Sequence, residues 1–177
     1  AHAFLQFCDY ESVIENGIDL EIERLKNERF ITERTAEIII KKQKKQLEGF
    51  FKSDLFACAR SSSEIWREFK FGMFRDAKDF TESEETRSLV ADRRIYVQGS
   101  IDLVIRENDG SIILCDYKTD RVTQEELADR SLMIRNIKDR HGDQLEQYCY
   151  AIEKIFGQAP RSIYIYLLSI GESVEIK

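Results

Sequence analysis

The chain has 177 residues, 42% of them apolar and 34% charged, so it can bury about 70% of its unfolded surface in one core and is not a disordered segment. The longest apolar run, Ile163–Leu168, is far short of the roughly twenty residues that cross a bilayer; no signal segment is present, and the one proline, Pro160, excludes Pro-rich classes. The net charge of −6 argues against a simple basic nucleic-acid coat, but local patches and bound metal can still decide binding.

The first residue is alanine and sits inside an apolar-periodic stretch, so the sequence reads as a piece of a longer polypeptide. Residues 1–60 carry helical spacing. The apolar positions are Phe4, Leu5, Phe7 and Cys8, then Ile18, Leu20, Ile22 and Leu25, then Ile38–Ile40, then Leu47, Phe50, Phe51 and Leu55. Four or five helices are predicted, with breaks at Asn16-Gly17 and around Arg29–Thr32, and with Ser53 and Asp54 capping the last. Strand patterning follows. Ile65, Arg67, Phe69 and Phe71 alternate against Glu64, Trp66, Glu68 and Lys70. Residues 73–91 read as a loop with one helical turn. Arg94–Gln98, Ser100–Glu107 and Ser111–Lys118 read as three strands. Thr123–Asp139 is helical. A further helix is predicted after Gly142, capped by Asp143 with Glu146 in a capping box and closed by Gly157. Strands from Pro160 to Leu168 and from Val174 to Lys177 complete an α/β chain with a mixed sheet. One domain over 1–177 is expected, a helical portion followed from residue 61 by a mixed-sheet core.

The four cysteines, Cys8, Cys58, Cys115 and Cys149, lie far apart and form no CxxC. Zinc-ribbon and iron–sulfur sites are poor readings, and free thiols in a reducing compartment are expected. No GxxxxGK[ST] occurs, so ATP hydrolysis is not expected from these residues.

Chemistry concentrates in Gly99-Ser-Ile-Asp102 and Asp116-Tyr-Lys118-Thr-Asp120. Asp116 and Lys118 are two apart on a strand and share a face with Ile112 and Leu114. The turn Asn108-Asp109-Gly110 decides where Asp102 points. A two-residue turn sets Asp102 opposite Tyr117 and sends the two aspartates to opposite faces. A three-residue loop with left-handed Gly110 sets Asp102 opposite Asp116. The sequence accommodates both. Opposed carboxylates repel unless something neutralises them, which suits a divalent cation; the plainer alternative is solvating edge residues with Lys118 as an ion-pair partner.

An acidic residue after Gly-x-x, a hairpin, Asp-x-Lys, and a helix carrying Gln144-Leu-Glu-Gln-Tyr148 together resemble the PD-(D/E)XK nuclease superfamily. Within it, the whole chain from His2 onward is most similar to the RecB-type branch, and there to the nuclease domains of bacterial AddAB-type (RexAB) helicase–nucleases. The resemblance implies a restriction-endonuclease-like mixed sheet flanked by helices. It implies Asp102 and Asp116 as metal-binding acids, Lys118 as the catalytic lysine, and Tyr117 lending its backbone carbonyl to the metal. Gln144 and Tyr148 would act from one helical face. Glu68 matches the acidic residue ahead of the aspartate strands, with an exposed strand glutamate as its alternative. His2 matches an additional metal ligand on the first helix, although the Gly-Thr-x-x that usually precedes it is absent. His141 is read as structural or phosphate-facing.

Lys41, Lys42, Lys44 and Lys45 form the densest basic run and read as a solvated face in preference to a DNA contact. Arg121, Arg130, Arg135, Lys138, Arg140 and His141 are nearer the site in sequence and are the better phosphate candidates. The resemblance implies a Mg²⁺-dependent deoxyribonuclease, with Mn²⁺ as substitute and no iron–sulfur cluster. The implied partners are DNA and the AddB (RexB) subunit, in double-strand break repair in the bacterial cytoplasm, the chain by itself being monomeric. Two alternatives remain: a nuclease fold that binds DNA without cutting, which has no need of the intact Asp102–Asp116–Lys118 set, and a metal-independent docking module, which would lack the metal response that Asp116 confers on either nuclease reading.

Overall fold

The computed structural model describes residues 1–177. The helical portion comprises α1 (His2–Phe7), α2 (Tyr10–Asn16), α3 (Ile18–Asn27), α4 (Glu33–Ile38), a π-helical turn (Ile39–Gln43), α5 (Lys44–Phe51) and α6 (Asp54–Ser61). The segment α4–π–α5 runs without a break, so the portion is five rods. Gly17, at φ 85°, breaks α2 from α3, and Arg29, at φ 65°, breaks α3 from α4. Thr32 and Ser53 cap α4 and α6 by accepting from the N–H groups of Thr35 and Phe56.

Five strands follow: β1 (Glu64–Asp76), β2 (Arg94–Arg106), β3 (Ile112–Lys118), β4 (Ser162–Leu167) and β5 (Glu172–Glu175), in spatial order β1-β2-β3-β4-β5. All neighbours are antiparallel except β3 and β4, which are parallel and need a long crossover. That crossover holds α8 (Gln124–Ala128) and α9 (Arg130–Phe156). The helical portion packs on one sheet face through Leu103, Ile105, Ile113, Cys115, Tyr117 and Tyr166. Helix α9 packs on the other through Val104, Ile112, Leu114, Ile163 and Ile165. The result is an α/β fold with a mixed sheet between helical layers. No helix is long and apolar enough to cross a membrane.

Several predicted boundaries are corrected. β2 runs unbroken through Gly99, which faces Phe71 across the ladder; a Cβ there would come within 2.8 Å of the Phe71 ring. This glycine therefore admits a ring and does not end a strand. β1 extends to Asp76, and the segment predicted as loop holds a 3₁₀ turn (Ala77–Phe80) and helix α7 (Glu84–Leu89). Asp143 is not an N-cap, because α9 passes straight through Gly142. Asp129 caps it by accepting from Ser131 and Leu132 N–H, and Met133, Ile137, Leu145, Tyr148 and Ile152 form one buried face on both sides of Gly142. The capping box belongs to α8, between Thr123 and Glu126. Gly157, at φ 74°, ends α9. β5 begins at Glu172, two residues early, and hydrogen bonds of Ile163 with Ile176 and Lys177 carry the pairing to the end of the chain.

The alternation along β1 does not persist. Arg67 faces the helical portion, lying over the Tyr10 ring, while Trp66 and Phe69 share the α9 side with centroids 6.1 Å apart. The switch falls at Glu68, whose φ is +51°, and the ladder omits the Glu68–Asp102 pair.

Candidate active site

The site lies where β2 and β3 separate. Leu103 pairs with Cys115 and Val104 with Leu114, so the hairpin has the three-residue loop, closed by Gly110 at φ 87°. This register places Asp102 opposite Asp116. Glu107 N–H donates to Ser111 carbonyl, so hydrogen-bonded pairs recur every second residue: 105 with 113, 103 with 115, then 101 with 117. The last pair does not form. The Tyr117 N–H donates instead to Asp102 Oδ2 at 2.5 Å. In a strand the N–H and C=O of one residue point to the same side, so the Tyr117 carbonyl also faces this opening.

Three further elements meet there. Helix α1 is anchored by buried Phe4 and Leu5 and by Arg67 of β1, whose guanidinium donates to the Leu5 and Cys8 carbonyls at the helix C-terminus. This sets His2 Nδ1 3.5 Å from Asp102 Oδ1, with the imidazole edge-on to Tyr117 at 5.7 Å between centroids. Glu68 is re-aimed by its left-handed backbone and accepts from Ser100 Oγ at 2.9 Å. Ligand atoms of His2, Glu68 and Asp102 lie within 4.8 Å of one another. Asp116 is outside that trio, with Oδ2 2.5 Å from Lys118 Nζ. The lysine also donates to Gln144 Oε1 at 2.7 Å, and Gln144 Nε2 reaches Tyr148 Oη at 2.6 Å. Asp116 Oδ2 is thus buried against the Lys118 ammonium.

Burial pushes the Asp116 carboxyl above the usual carboxylate range; Lys118 opposes this and the Asp102 charge adds to it. The hydrogen bond to Asp102 raises the His2 imidazole despite partial burial. Burial pushes the Tyr148 phenol up to about 12, so it stays a neutral hydrogen-bonding group. Hard carboxylate oxygens and one imidazole fit Mg²⁺ or Mn²⁺ better than a soft metal.

Of the basic residues near the site, Arg140 and His141 both turn to Asp120 at 3.1 Å, and Arg140 also meets Glu126. Arg130 pairs with Glu172. These three phosphate candidates each stand beside a carboxylate in the structure. Arg121, Arg135 and Lys138 have no carboxylate in ion-pair reach. Ser100, which holds Glu68, carries no signal in the sequence beyond its register opposite Lys70.

An α/β sheet that opens between two acidic strands, with a lysine two residues past the second acid, defines a nuclease of the PD-(D/E)XK type. The chain belongs to the PD-(D/E)XK nuclease superfamily, whose family model matches residues 2–174. Over 98% of its length it is 33% identical to a protein of Thermoanaerobacter sp. (strain X514) that is named as an ATP-dependent helicase/nuclease subunit. Over 99% of its length it is 29% identical to the protein of the same name in Clostridium botulinum (strain 657 / Type Ba4). In each case the chain spans 13% of the relative's length.

Proposed function

We propose that this chain is a Mg²⁺-dependent deoxyribonuclease, the exonuclease part of an ATP-dependent helicase–nuclease that processes double-strand breaks. The observation that carries the proposal is the convergence of His2, Glu68 and Asp102 at the strand fork, with Asp116 in register opposite Asp102 and beside the Lys118–Gln144–Tyr148 chain. His2, Asp102, Asp116 and the Tyr117 carbonyl would hold the ion, with Glu68 bordering it. A divalent ion there supplies Lewis-acid polarisation of the phosphoryl oxygens and acidifies water.

Lys118 lies against Asp116 and presents Nζ protons to the attacking water or to a phosphoryl oxygen as negative charge grows. Gln144 fixes the direction of that Nζ, and Tyr148 fixes the amide of Gln144, so the ammonium is oriented before substrate arrives. Asp102 holds the fork open by replacing a backbone acceptor. The names of the relatives describe one component of a larger enzyme, which supports a second chain as partner, of the AddB (RexB) kind. The ATPase would then lie in residues outside this chain. The experiment is incubation of end-labelled single- and double-stranded DNA with the chain and Mg²⁺. Cleavage is expected, lost with chelator and in Asp116→Ala; cleavage that survives excess chelator would overturn the proposal.

A further inference from the structure

The basic run of residues 41–45 is split by the structure. Lys41 pairs with Glu37 at 2.9 Å and Lys44 with Asp19 at 2.6 Å. Lys42 has no carboxylate in reach. It lies in the π-helical turn, a feature frequent at functional sites, and lines a solvent-open cavity of about 610 Å³. Arg121, also with no carboxylate in ion-pair reach, lines the same cavity with Thr119 and Ser169. Gln43 and Gln46 line it too.

No carboxylate lines this cavity. Three of the other main surface cavities contain acidic residues, and the remaining one holds Arg60, which Glu11 neutralises. In a chain of net charge −6, two cations without ion-pair partners lining one space, beside the hydroxyls of Thr119 and Ser169 and the amides of Gln43 and Gln46, is a selective arrangement. The cavity adjoins the fork on two sides, since Ala1 precedes His2 and Thr119 follows Lys118.

We infer that Lys42 and Arg121 bind the phosphodiester neighbouring the scissile one, anchoring the strand against the cutting site. The inference deepens the nuclease reading and rests on it for the position of the strand. The two cations recognise charge and tetrahedral oxygens, not bases, so they set register without sequence preference.

The test uses the 177-residue chain and the paired variant Lys42→Gln with Arg121→Gln, with Lys45→Gln as a control that removes a charge of the same helix outside the cavity. Both cavity side chains are exposed, and unchanged thermal unfolding checks the fold. Single-stranded oligonucleotide binding is measured in Ca²⁺ over a salt series. The paired variant is expected to bind about ten-fold more weakly, with a salt slope lower by about 1, and Lys45→Gln to match the parent. Oligonucleotides carrying one neutral methylphosphonate at successive positions should show one position that weakens the parent and not the variant. In cleavage, the variant should raise KM and keep kcat. An unchanged salt slope, or equal sensitivity of both proteins at every position, overturns the inference. Parent chain that shows the binding effects but cuts nothing defeats the nuclease reading and leaves the phosphate site standing.

Discussion

The Tyr117 N–H is bonded to the side chain of Asp102 where the ladder would have used the carbonyl of Ile101. One carboxylate therefore does two jobs: it opens the sheet and it faces His2.

Substitutions at Asp102 should separate those jobs. Asp102→Asn retains an acceptor for Tyr117 and is expected to fold with near-parent stability while losing metal binding and cleavage. Asp102→Ala strands a buried N–H and should cost about 1–3 kcal/mol. Thermal unfolding and Mn²⁺ calorimetry on the two variants check this, and equal stability would show that the bond does not hold the fork.

Asp116 is buried, and desolvation makes its charge unfavourable there even with Lys118 alongside. Asp116→Asn is expected to raise the unfolding midpoint of the metal-free chain at neutral pH by roughly 2–4 °C, about 1 kcal/mol, and to abolish cleavage. Lys118→Ala should likewise abolish cleavage with the fold intact. Near-parent cutting by Lys118→Ala at matched folding would remove it from the chemistry.

The raised pKa values of His2 and Asp116 set a pH trend. Both groups bind protons more readily in the folded metal-free chain than in the unfolded one. Their contribution to stability is thus fully present below the unfolded pKa and lost as pH rises through the folded value. Metal competes with those same protons, so its affinity rises with pH over that window. Midpoints measured with and without Mn²⁺ between about pH 5 and 8 should diverge as pH increases. A constant gap would exclude these two residues as ligands.

Glu68 holds a left-handed backbone inside a strand, which costs about 1–2 kcal/mol in an ordinary side-chain-bearing residue. Glu68→Gly should be more stable than Glu68→Ala, reversing the usual order in strands, while both weaken metal binding. Chemical denaturation of the pair decides it.

Gly142 lies mid-helix with nothing within 4 Å of where a Cβ would sit. Gly142→Ala is expected to stabilise the chain by about 0.5–1 kcal/mol, measurable as a raised denaturation midpoint. A loss of stability would show that the helix bends or is approached closely there.

The fork was legible in part. Asp109-Gly110 admits two loops, and only the register of Leu103 against Cys115 selects the one that opposes the aspartates. The layering of helices around a mixed sheet followed from periodicity, because apolar spacing reports which face is buried. The inversion at Glu68 was not legible, since glutamate has no preference for positive φ and tertiary contacts impose it. The unbroken α9 was readable in Met133, Ile137 and Leu145, but Gly142 and a chance Asp143/Glu146 spacing imitated a helix start. The fate of Arg140 and His141 depended on Asp120, a neighbour that only folding supplies.

The residues that meet at the fork are drawn from position 2 to position 148. A polypeptide emerging from the ribosome therefore carries no complete set until helix α9 has been synthesised and has docked. Assembly order alone keeps an unfinished chain from presenting the complete set of side chains.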